Sequence, residues 1–261
     1  MMKDSATAAR LAAVAHAAGQ VIMRHYREGR GHRLKADLTP VTDADEEAEA
    51  LILAWLAVNF PDVPVAAEEA VAAGRGCRPC AHFFLVDPLD GTREFLNRNG
   101  EFTVNVAEVR DGLAVAGAVY APAKNRLFFG GHGSAFECLQ QVEAAFDPGG
   151  ARPIKARKPG KAGLVAIGSR SHGDNETEAF LKRFSIRERI VSGSSLKFCK
   201  VAAGEADIYA RWGRTMEWDT AAGQAVLAAA GGTMRGWDGG PFLYGKPHFE
   251  NGPFVARGMV E

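Results

Sequence analysis

Two carboxylates stand directly after a strongly apolar segment in the first half of the chain. The run Phe83-Phe84-Leu85-Val86 predicts a buried strand, and Asp87-Pro88-Leu89-Asp90-Gly91-Thr92 follows it. Pro88 stiffens the backbone between the two acids, and Gly91 allows a sharp turn after them. Two negative charges held together at a strand end must be neutralised, and a divalent metal ion is the usual means. The hexapeptide therefore predicts a metal site.

The composition excludes several classes of function. Among the 261 residues, Lys+Arg and Asp+Glu both number 31, so the formal charge is zero. A neutral chain argues against a nucleic-acid polymer as partner, whereas a small anionic substrate needs only local positive charge. No apolar stretch is long enough to span a bilayer, and four cysteines in a chain of this length do not indicate a disulfide framework. We expect no transmembrane segment and a cytoplasmic location.

Apolar spacing predicts two helices and a largely antiparallel sheet in the first half. The helices are expected over 5–28 and from Thr42 or Asp43 to Asn59. The predicted strands are 63–67, 83–86, 101–109, 113–120 and 126–130, with a mobile loop over 70–79.

The second half alternates strands and helices after a stretch rich in Pro and Gly at 147–163. We expect strands at 164–167, 190–191 and 206–210, and helices at 176–184, 194–203 and 219–230. The predicted division is an α+β subdomain over 1–148, carrying most metal ligands, and an α/β subdomain over 149–261, carrying Asp219 and the substrate pocket. The fold class is therefore layered α+β leading into α/β.

Three acids besides Asp87 could contribute to one site with it, although each has an ordinary structural interpretation. Glu68 follows a strand and could belong to a solvated loop, Asp90 with Gly91 is a common turn dipeptide, and Asp219 could be a helix N-cap. Together they form a set of hard oxygen ligands that Mg²⁺ prefers, with no His or Cys to favour zinc. The sequence favours Mg²⁺-assisted phosphoryl chemistry.

The hexapeptide and Trp218-Asp219-Thr220-Ala221-Ala222-Gly223 together resemble the inositol monophosphatase superfamily, over nearly the whole chain. This resemblance implies a layered αβαβα sandwich and a lithium-sensitive phosphatase with two or three Mg²⁺ ions. Further segments resemble one branch, the CysQ-type 3′(2′),5′-bisphosphate nucleotidases. They are residues 40–45, Glu94-Phe95, 99–105, Ser169-Arg170-Ser171-His172 and 193–199.

The resemblance implies a role for each site residue. The metal ligands would be Glu68, Asp87, the Leu89 carbonyl, Asp90 and Asp219. Glu68 and Thr92 would position the attacking water, and Asp45 would hydrogen-bond Thr92 and support a third metal. Asp45 is also compatible with a place in the first turn of a helix capped by Thr42.

The substrate side is predicted to lie around two serine-containing segments. Arg170 can engage phosphate bidentately, Gly91 and Thr92 could cradle it at a helix start, and Lys197 stands either beside the substrate or in solvent. Glu217 could contact sugar hydroxyls or be a surface acid. Trp212 could stack on adenine, although we interpret it as a buried core aromatic. The predicted substrate-binding residues are Gly91, Thr92, Ser169, Arg170, Ser171, His172, Ser194, Ser195, Lys197, Glu217 and Asp219.

The resemblance implies conversion of 3′-phosphoadenosine 5′-phosphate to AMP and phosphate, as in sulfate assimilation. An inositol or other small sugar phosphatase would use the same metals, and a regulatory member would act through protein partners instead. A small phosphorylated nucleotide is the expected partner, and the protein is expected to be a monomer or homodimer. Peripheral attachment at the inner membrane is an alternative to a purely cytoplasmic location. The Cys77/Cys80 pair could bind zinc or act in redox chemistry, and we interpret it as a loop feature.

Overall fold

The computed structural model describes residues 4–29, 32–34, 40–170 and 173–259. Two helices precede the first large sheet. They are α1 (Asp4–Glu28) and α2 (Asp43–Asn59), separated by a hairpin of β1 (His32–Leu34) and β2 (Pro40–Thr42). The predicted inward face of α1 is confirmed, because Leu11, Ala15, Ala18 and Ile22 are buried. In the described residues, no helix combines the length and the apolar character needed to cross a membrane.

The larger sheet has seven strands in chain order, all antiparallel except the first pair. Its strands are β3 (Val65–Ala67), β4 (His82–Asp90), β5 (Thr103–Arg110), β6 (Leu113–Ala121), β7 (Arg126–Gly131), β8 (Ser134–Leu139) and β9 (Arg152–Ile154). Two short helices interrupt them, α3 (Glu68–Ala72) and α4 (Thr92–Leu96). The loop expected over 70–79 therefore begins later, because α3 continues to Ala72. Its two cysteines are free thiols.

The smaller sheet has five strands in the order β11-β10-β12-β16-β14 and is mixed. Strands β10 (Leu164–Ser169), β11 (Ile186–Ser192) and β12 (Ile208–Arg211) run parallel, and β14 (Thr233–Gly236) and β16 (Phe254–Arg257) complete one edge. The remaining elements are α5 (Asn175–Leu181), α6 (Leu196–Ala202), β13 (Thr215–Met216), α7 (Glu217–Ala229) and β15 (Glu250–Asn251).

The elements stack in five layers. The first two helices cover one face of the larger sheet, and α6 with α7 fills the space between the two sheets. The helix α5 covers the outer face of the smaller sheet. This arrangement is the predicted αβαβα sandwich. The strand β9 belongs to the larger sheet although it follows residue 148, and the division into subdomains stays a prediction.

Candidate active site

A β-bulge brings the two acids of the hexapeptide to one face of the sheet. In β4, Asp87 pairs with Asn105 and Asp90 pairs with Thr103, so two residues of β4 oppose the single residue Val104 of β5. In a regular strand, side chains three residues apart point to opposite faces of the sheet. The extra residue of the bulge brings both side chains to the same face. The bulge contains Pro88, which cannot donate to a ladder and is tolerated at such a position. Gly91 then adopts a left-handed conformation, with φ 92°, before α4 begins.

The parallel pairing of β3 with β4 places Glu68 beside the bulge. Ala67 is the register partner of Val86, so the residues that follow each strand, Glu68 and Asp87, lie at the same edge. The start of α3 is held by Glu49 of α2, whose carboxylate accepts from the amides of Glu69 at 2.7 Å and Ala70 at 2.8 Å. Glu49 is buried, and burial raises its pKa to about 7. Glu49 thus fixes the orientation of the helix turn that carries Glu68.

Replacement of Glu49 by Gln is expected to lower activity by about 10- to 100-fold, the range for residues that orient metal ligands. A carboxamide has one acceptor oxygen where the two amides of α3 need two, so Glu68 loses its fixed position. The measurement is phosphate release against Mg²⁺ concentration, where the variant should need more Mg²⁺ for half-maximal rate. The exposed Glu46→Gln on the same helix is the matched control. Equal Mg²⁺ dependence in both variants would contradict this role.

Asp219 lies in the first turn of α7, between the two sheets. Its carboxylate accepts from the amide of Met216 at 2.8 Å, so it caps its own helix from inside the first turn rather than as the N-cap. The small residues of the same motif permit close packing: a Cβ on Gly223 would stand 2.5 Å from the ring of Phe198. The sequence that follows Asp219 thus allows α7 to approach α6 closely.

A buried polar network joins the two halves of the site. The Ser194 hydroxyl lies 2.9 Å from an Asp90 carboxylate oxygen and 2.6 Å from the Thr103 hydroxyl. The Asn105 side chain donates to the Ser195 hydroxyl at 3.0 Å, and that hydroxyl donates to the Asp219 carbonyl at 2.6 Å. The network therefore connects Asp90 of the larger sheet to Asp219 of α7.

The sequence predicted a helix that begins at Ser194, but Ser194 lies outside the helix. The helix α6 starts at Leu196, and Ser194 is a non-glycine residue in the left-handed region, with φ 56°. The notion that Ser194 merely caps this helix is therefore excluded, because its hydroxyl is engaged with Asp90. The interpretation of Lys197 as a solvated side chain is also wrong, because Lys197 is only 4% exposed.

Asp45 lies beside Thr92, the last residue of the hexapeptide. The Asp45 carboxylate accepts from the amide of Thr42 at 2.7 Å and from its hydroxyl at 2.6 Å, as the reciprocal partner in the cap of α2. The Thr92 hydroxyl lies 3.5 Å from Asp45 and 3.3 Å from the carbonyl of Leu89. Asp45 therefore combines the predicted helix-start position with a place beside Thr92.

Three acids of this cluster, Asp87, Asp219 and Asp45, have a raised pKa, first through burial and then through the neighbouring negative charges. Burial and the charges of Glu68, Asp90 and Asp219 raise the pKa of Asp87 well above its usual range. Burial and the charge of Asp90 raise the pKa of Asp219 to about 8, and burial raises that of Asp45 to about 7. In the described part of the chain, no Lys or Arg forms an ion pair with these three acids or with Asp90. Such a cluster needs an external cation.

The donor set fits Mg²⁺. All the candidate ligands are carboxylate or carbonyl oxygens, and Mg²⁺ binds through one or two carboxylates completed by water and substrate phosphate. Across residues 4–29, 32–34, 40–170 and 173–259, no three acidic, His or Cys side chains are grouped closely enough to hold one ion as they stand.

The acids open into a cavity of about 270 Å³ between the two sheets. Ten predicted site residues line it: Glu68, Asp87, Leu89, Asp90, Gly91, Thr92, Ser169, Ser194, Lys197 and Asp219. The buried Lys197 ammonium donates to the carbonyl of Ser194 at 2.5 Å and stands 5.3 Å from the ring centre of Tyr209. Burial lowers the pKa of Lys197 to about 8. The cavity therefore presents the cationic side chains of Arg93, Lys197 and Arg211 together with the acids.

Several predicted substrate residues lie elsewhere. Arg170 forms a bidentate pair with Glu101 at 3.0 and 3.2 Å, and Glu101 also accepts from the amide of Gly193. Ser195 is buried within the polar network and does not line the cavity. The predictions for Ser171 and His172 fall outside the described residues.

Glu217 and Trp212 differ from the sequence-based expectations. Glu217 is fully buried, accepts from the amides of Gly245 and Lys246, and pairs with the Lys246 ammonium at 2.8 Å. It is therefore not a surface acid, and the structure gives it no contact with the cavity. Trp212 is 43% exposed, so its interpretation as a buried core aromatic is wrong.

The cavity includes residues that sequence reasoning did not select for it, namely Arg93, Glu94, Phe198, Tyr209, Arg211, Thr215 and Thr220. Four of these, Arg93, Glu94, Phe198 and Thr220, adjoin or lie within motifs already identified, and that proximity was an available signal. Tyr209 and Arg211 lie at the carboxyl end of β12, where ligands commonly bind beside a parallel sheet. Thr215 gave no signal of this kind.

The five layers and the acidic cavity between the sheets define an αβαβα sandwich with an oxygen-donor site. The chain belongs to the inositol monophosphatase family, whose model matches residues 2–256. The 3′(2′),5′-bisphosphate nucleotidase CysQ of Escherichia coli K12 is 42% identical over 233 residues, which is 88% of this chain and 91% of that protein. The corresponding protein of Buchnera aphidicola is 38% identical over 251 residues, covering 94% and 91% of the two chains.

Solved structures agree with this membership. The CysQ of Bacteroides thetaiotaomicron, a bacterial member of the same family, superposes with a TM-score of 0.81 at 35% identity, covering 100% of this chain and 99% of that one. An inositol monophosphatase from Anabaena superposes with a TM-score of 0.74 at 24% identity, covering 98% and 91% of the two chains, and supports the fold alone. The predicted family, branch resemblance and fold class are confirmed.

Proposed function

We propose that this protein hydrolyses the 3′-phosphate of 3′-phosphoadenosine 5′-phosphate, giving AMP and phosphate. The acid cluster at the bulge carries the proposal, because its raised pKa values indicate a site that needs cations. The similarity to bisphosphate nucleotidases over most of the chain supports the substrate class.

The residues that would hold Mg²⁺ are Glu68, Asp87, Asp90, Asp219 and the carbonyl of Leu89, and we propose two or three ions. When bound, Mg²⁺ neutralises the charge of the phosphate and of the developing leaving group. The family's cofactor would thus neutralise a buried acid cluster that forms no ion pair with a Lys or Arg in the described part of the chain.

The chain's own residues then orient the reactants. Glu68 and Thr92 line the cavity, and we propose that they hold the attacking water, with the Glu68 carboxylate receiving its proton. The new P–O bond forms as the ester bond to the 3′ oxygen breaks, and that oxygen takes up a proton from solvent. Asp45 keeps the Thr92 hydroxyl in place, and Lys197 offers its ammonium to the anionic substrate.

Arg170 can engage the second phosphate through the Nε–Nη2 edge of its guanidinium only after leaving Glu101. Its bidentate pair with that carboxylate occupies the donors that a phosphate would use. We propose that a substrate carrying two phosphates exchanges one phosphate for Glu101, whereas a substrate with one phosphate leaves the pair in place. This exchange would favour a bisphosphate nucleotide.

A substrate panel tests the proposed function. Purified protein with Mg²⁺ is supplied separately with 3′-phosphoadenosine 5′-phosphate, 5′-AMP, inositol 1-phosphate, fructose 1,6-bisphosphate and histidinol phosphate, and released phosphate is measured. We expect the bisphosphate nucleotide to have the highest kcat/KM. Faster turnover of inositol 1-phosphate would overturn the nucleotidase proposal, and the absence of Mg²⁺-dependent release from every compound would favour a partner-binding protein.

A further inference from the structure

A second cavity, of about 360 Å³, lies on the outer side of the smaller sheet and shares no lining residue with the acidic cavity. Three arginines line it, Arg183, Arg235 and Arg257, together with the rings of Phe180, Phe184 and Trp237. The outer helix α5 packs over the inner strands, so the edge formed by β14 and β16 borders this cavity.

The strand register explains why two of the arginines share a face. Thr233 pairs with Arg257, and Arg235 pairs with Val255, in an antiparallel ladder. Because side chains alternate along each strand, Arg235 and Arg257 both project from the face that Val255 presents to α5. Arg183 reaches the same cavity from just beyond the end of α5.

The positive charges of this cavity are not compensated within the described part of the chain. No carboxylate there forms an ion pair with Arg183, Arg235 or Arg257. Burial and the charge of Arg183 lower the pKa of the half-buried Arg257. Among the described residues, Asp238 is the one acid that lines the cavity, and it accepts from the amide of Gly240 at 2.9 Å. A partly desolvated cation without a counter-ion favours an external anion.

Two of the arginines lie over aromatic rings of the cavity. The Arg257 guanidinium stands 4.7 Å from the ring centre of Phe184, and Arg183 stands 5.3 Å from that of Phe180. Stacking uses the face of a guanidinium and leaves its in-plane N–H groups for a phosphate. Trp237, with its ring centre 4.2 Å from that of Phe180, is only partly buried and offers an aromatic surface beside the arginines.

We propose that this cavity binds a small nucleotide, with its phosphate on Arg235 and Arg257 and its base against the Trp237 side. The site is separate from the acidic cavity and needs no Mg²⁺. Since the three arginines lie outside the proposed catalytic machinery, loss of this site leaves the basal turnover unchanged. A nucleotide bound here would therefore act as an effector rather than as a substrate.

Titration of the full-length protein with AMP in EDTA tests the proposal, with Trp fluorescence as the readout. Without Mg²⁺ the acidic cavity repels anions, so binding reports on the arginine cavity. The double variant R235Q/R257Q is expected to bind AMP at least about tenfold more weakly, because two charge-assisted contacts to phosphate are lost. Its Mg²⁺-dependent turnover should stay within about twofold of the parent protein, which also shows that it folds.

Controls separate the alternatives. R27Q removes an exposed arginine on α1 and should leave AMP binding unchanged. The variant W237F should reduce the fluorescence response. Equal AMP affinity in R235Q/R257Q and the parent protein would overturn the proposal, as would inorganic phosphate binding as tightly as AMP. Tighter binding of a single-stranded oligonucleotide than of AMP would place a polymer at this surface and would also overturn it.

Discussion

Asp90→Asn is expected to remove Mg²⁺-dependent phosphate release while making the metal-free protein more stable. Activity should fall by about a hundredfold or more, since even residues that only support metal ligands change activity by about 10- to 100-fold. Asp90 also raises the pKa of both Asp87 and Asp219, so removing its charge relieves repulsion in the metal-free state. A gain of about 1 kcal/mol would raise Tm by roughly 2–4 °C.

The two readouts are phosphate release with Mg²⁺ and Tm in EDTA, both compared with Asp62→Asn on an exposed turn. The control should change neither. Full activity in Asp90→Asn would refute the metal role of Asp90, and a lower Tm in EDTA would refute the repulsion within the cluster. The opposite signs of the two effects distinguish a functional acid from one that merely stabilises the fold.

The metal-free protein should lose stability as the pH rises, and Mg²⁺ should restore it. The pKa of Asp219 is raised to about 8 and those of Asp45 and Glu49 to about 7, from unperturbed values of 3.8 for Asp and 4.5 for Glu. At a pH between the unperturbed and the raised pKa of each group, the folded state binds more protons than the unfolded state. The free energy of unfolding therefore falls with increasing pH. The loss should be steepest between about pH 5 and pH 7, and it should level off above about pH 8, where these groups are ionised in both states.

Tm measured from pH 5 to pH 8.5, with EDTA or with Mg²⁺, checks this dependence. In EDTA, Tm should decrease across the range, and the stabilisation by Mg²⁺ should increase with pH because protons and the metal compete for the same carboxylates. A Tm in EDTA that is constant or increases between pH 6 and pH 8 would contradict the raised pKa values. Asp90→Asn should show a weaker dependence than the parent protein.

The parts of the fold that depend on local pattern were predictable from the sequence. The buried positions of α1 and the capping of α2 by Thr42 follow from spacing and cap chemistry. The acids of the hexapeptide, Glu68 and Asp219 were identified because each adjoins an apolar strand or opens a helix. The structure places them around one cavity.

The features that were not predictable depend on residues distant in the chain. The role of Glu49 arises from two amides of α3, about 20 positions later. The left-handed conformation of Ser194 accompanies contacts with Asp90 and Thr103 on the other sheet. The sequence predicted Arg170 as a phosphate ligand, because no residue near it in the chain indicates its pairing with Glu101. The contacts of Ser194 and Arg170 form only when the two halves of the molecule assemble, and those of Glu49 form only when α2 packs against α3.

The bulge at Pro88 and Leu89 limits how this site can be transplanted or altered. The two acids share a face only because β4 carries one residue more than β5 between its pairs with Asn105 and Thr103. The hexapeptide grafted onto a regular hairpin would therefore present its acids on opposite faces, whatever its sequence. The hexapeptide must therefore be transferred together with both strands, so that one strand keeps its extra residue. Deleting one residue of the bulge would likewise return the two acids to opposite faces of the sheet. Such a deletion would disable the site more completely than most substitutions.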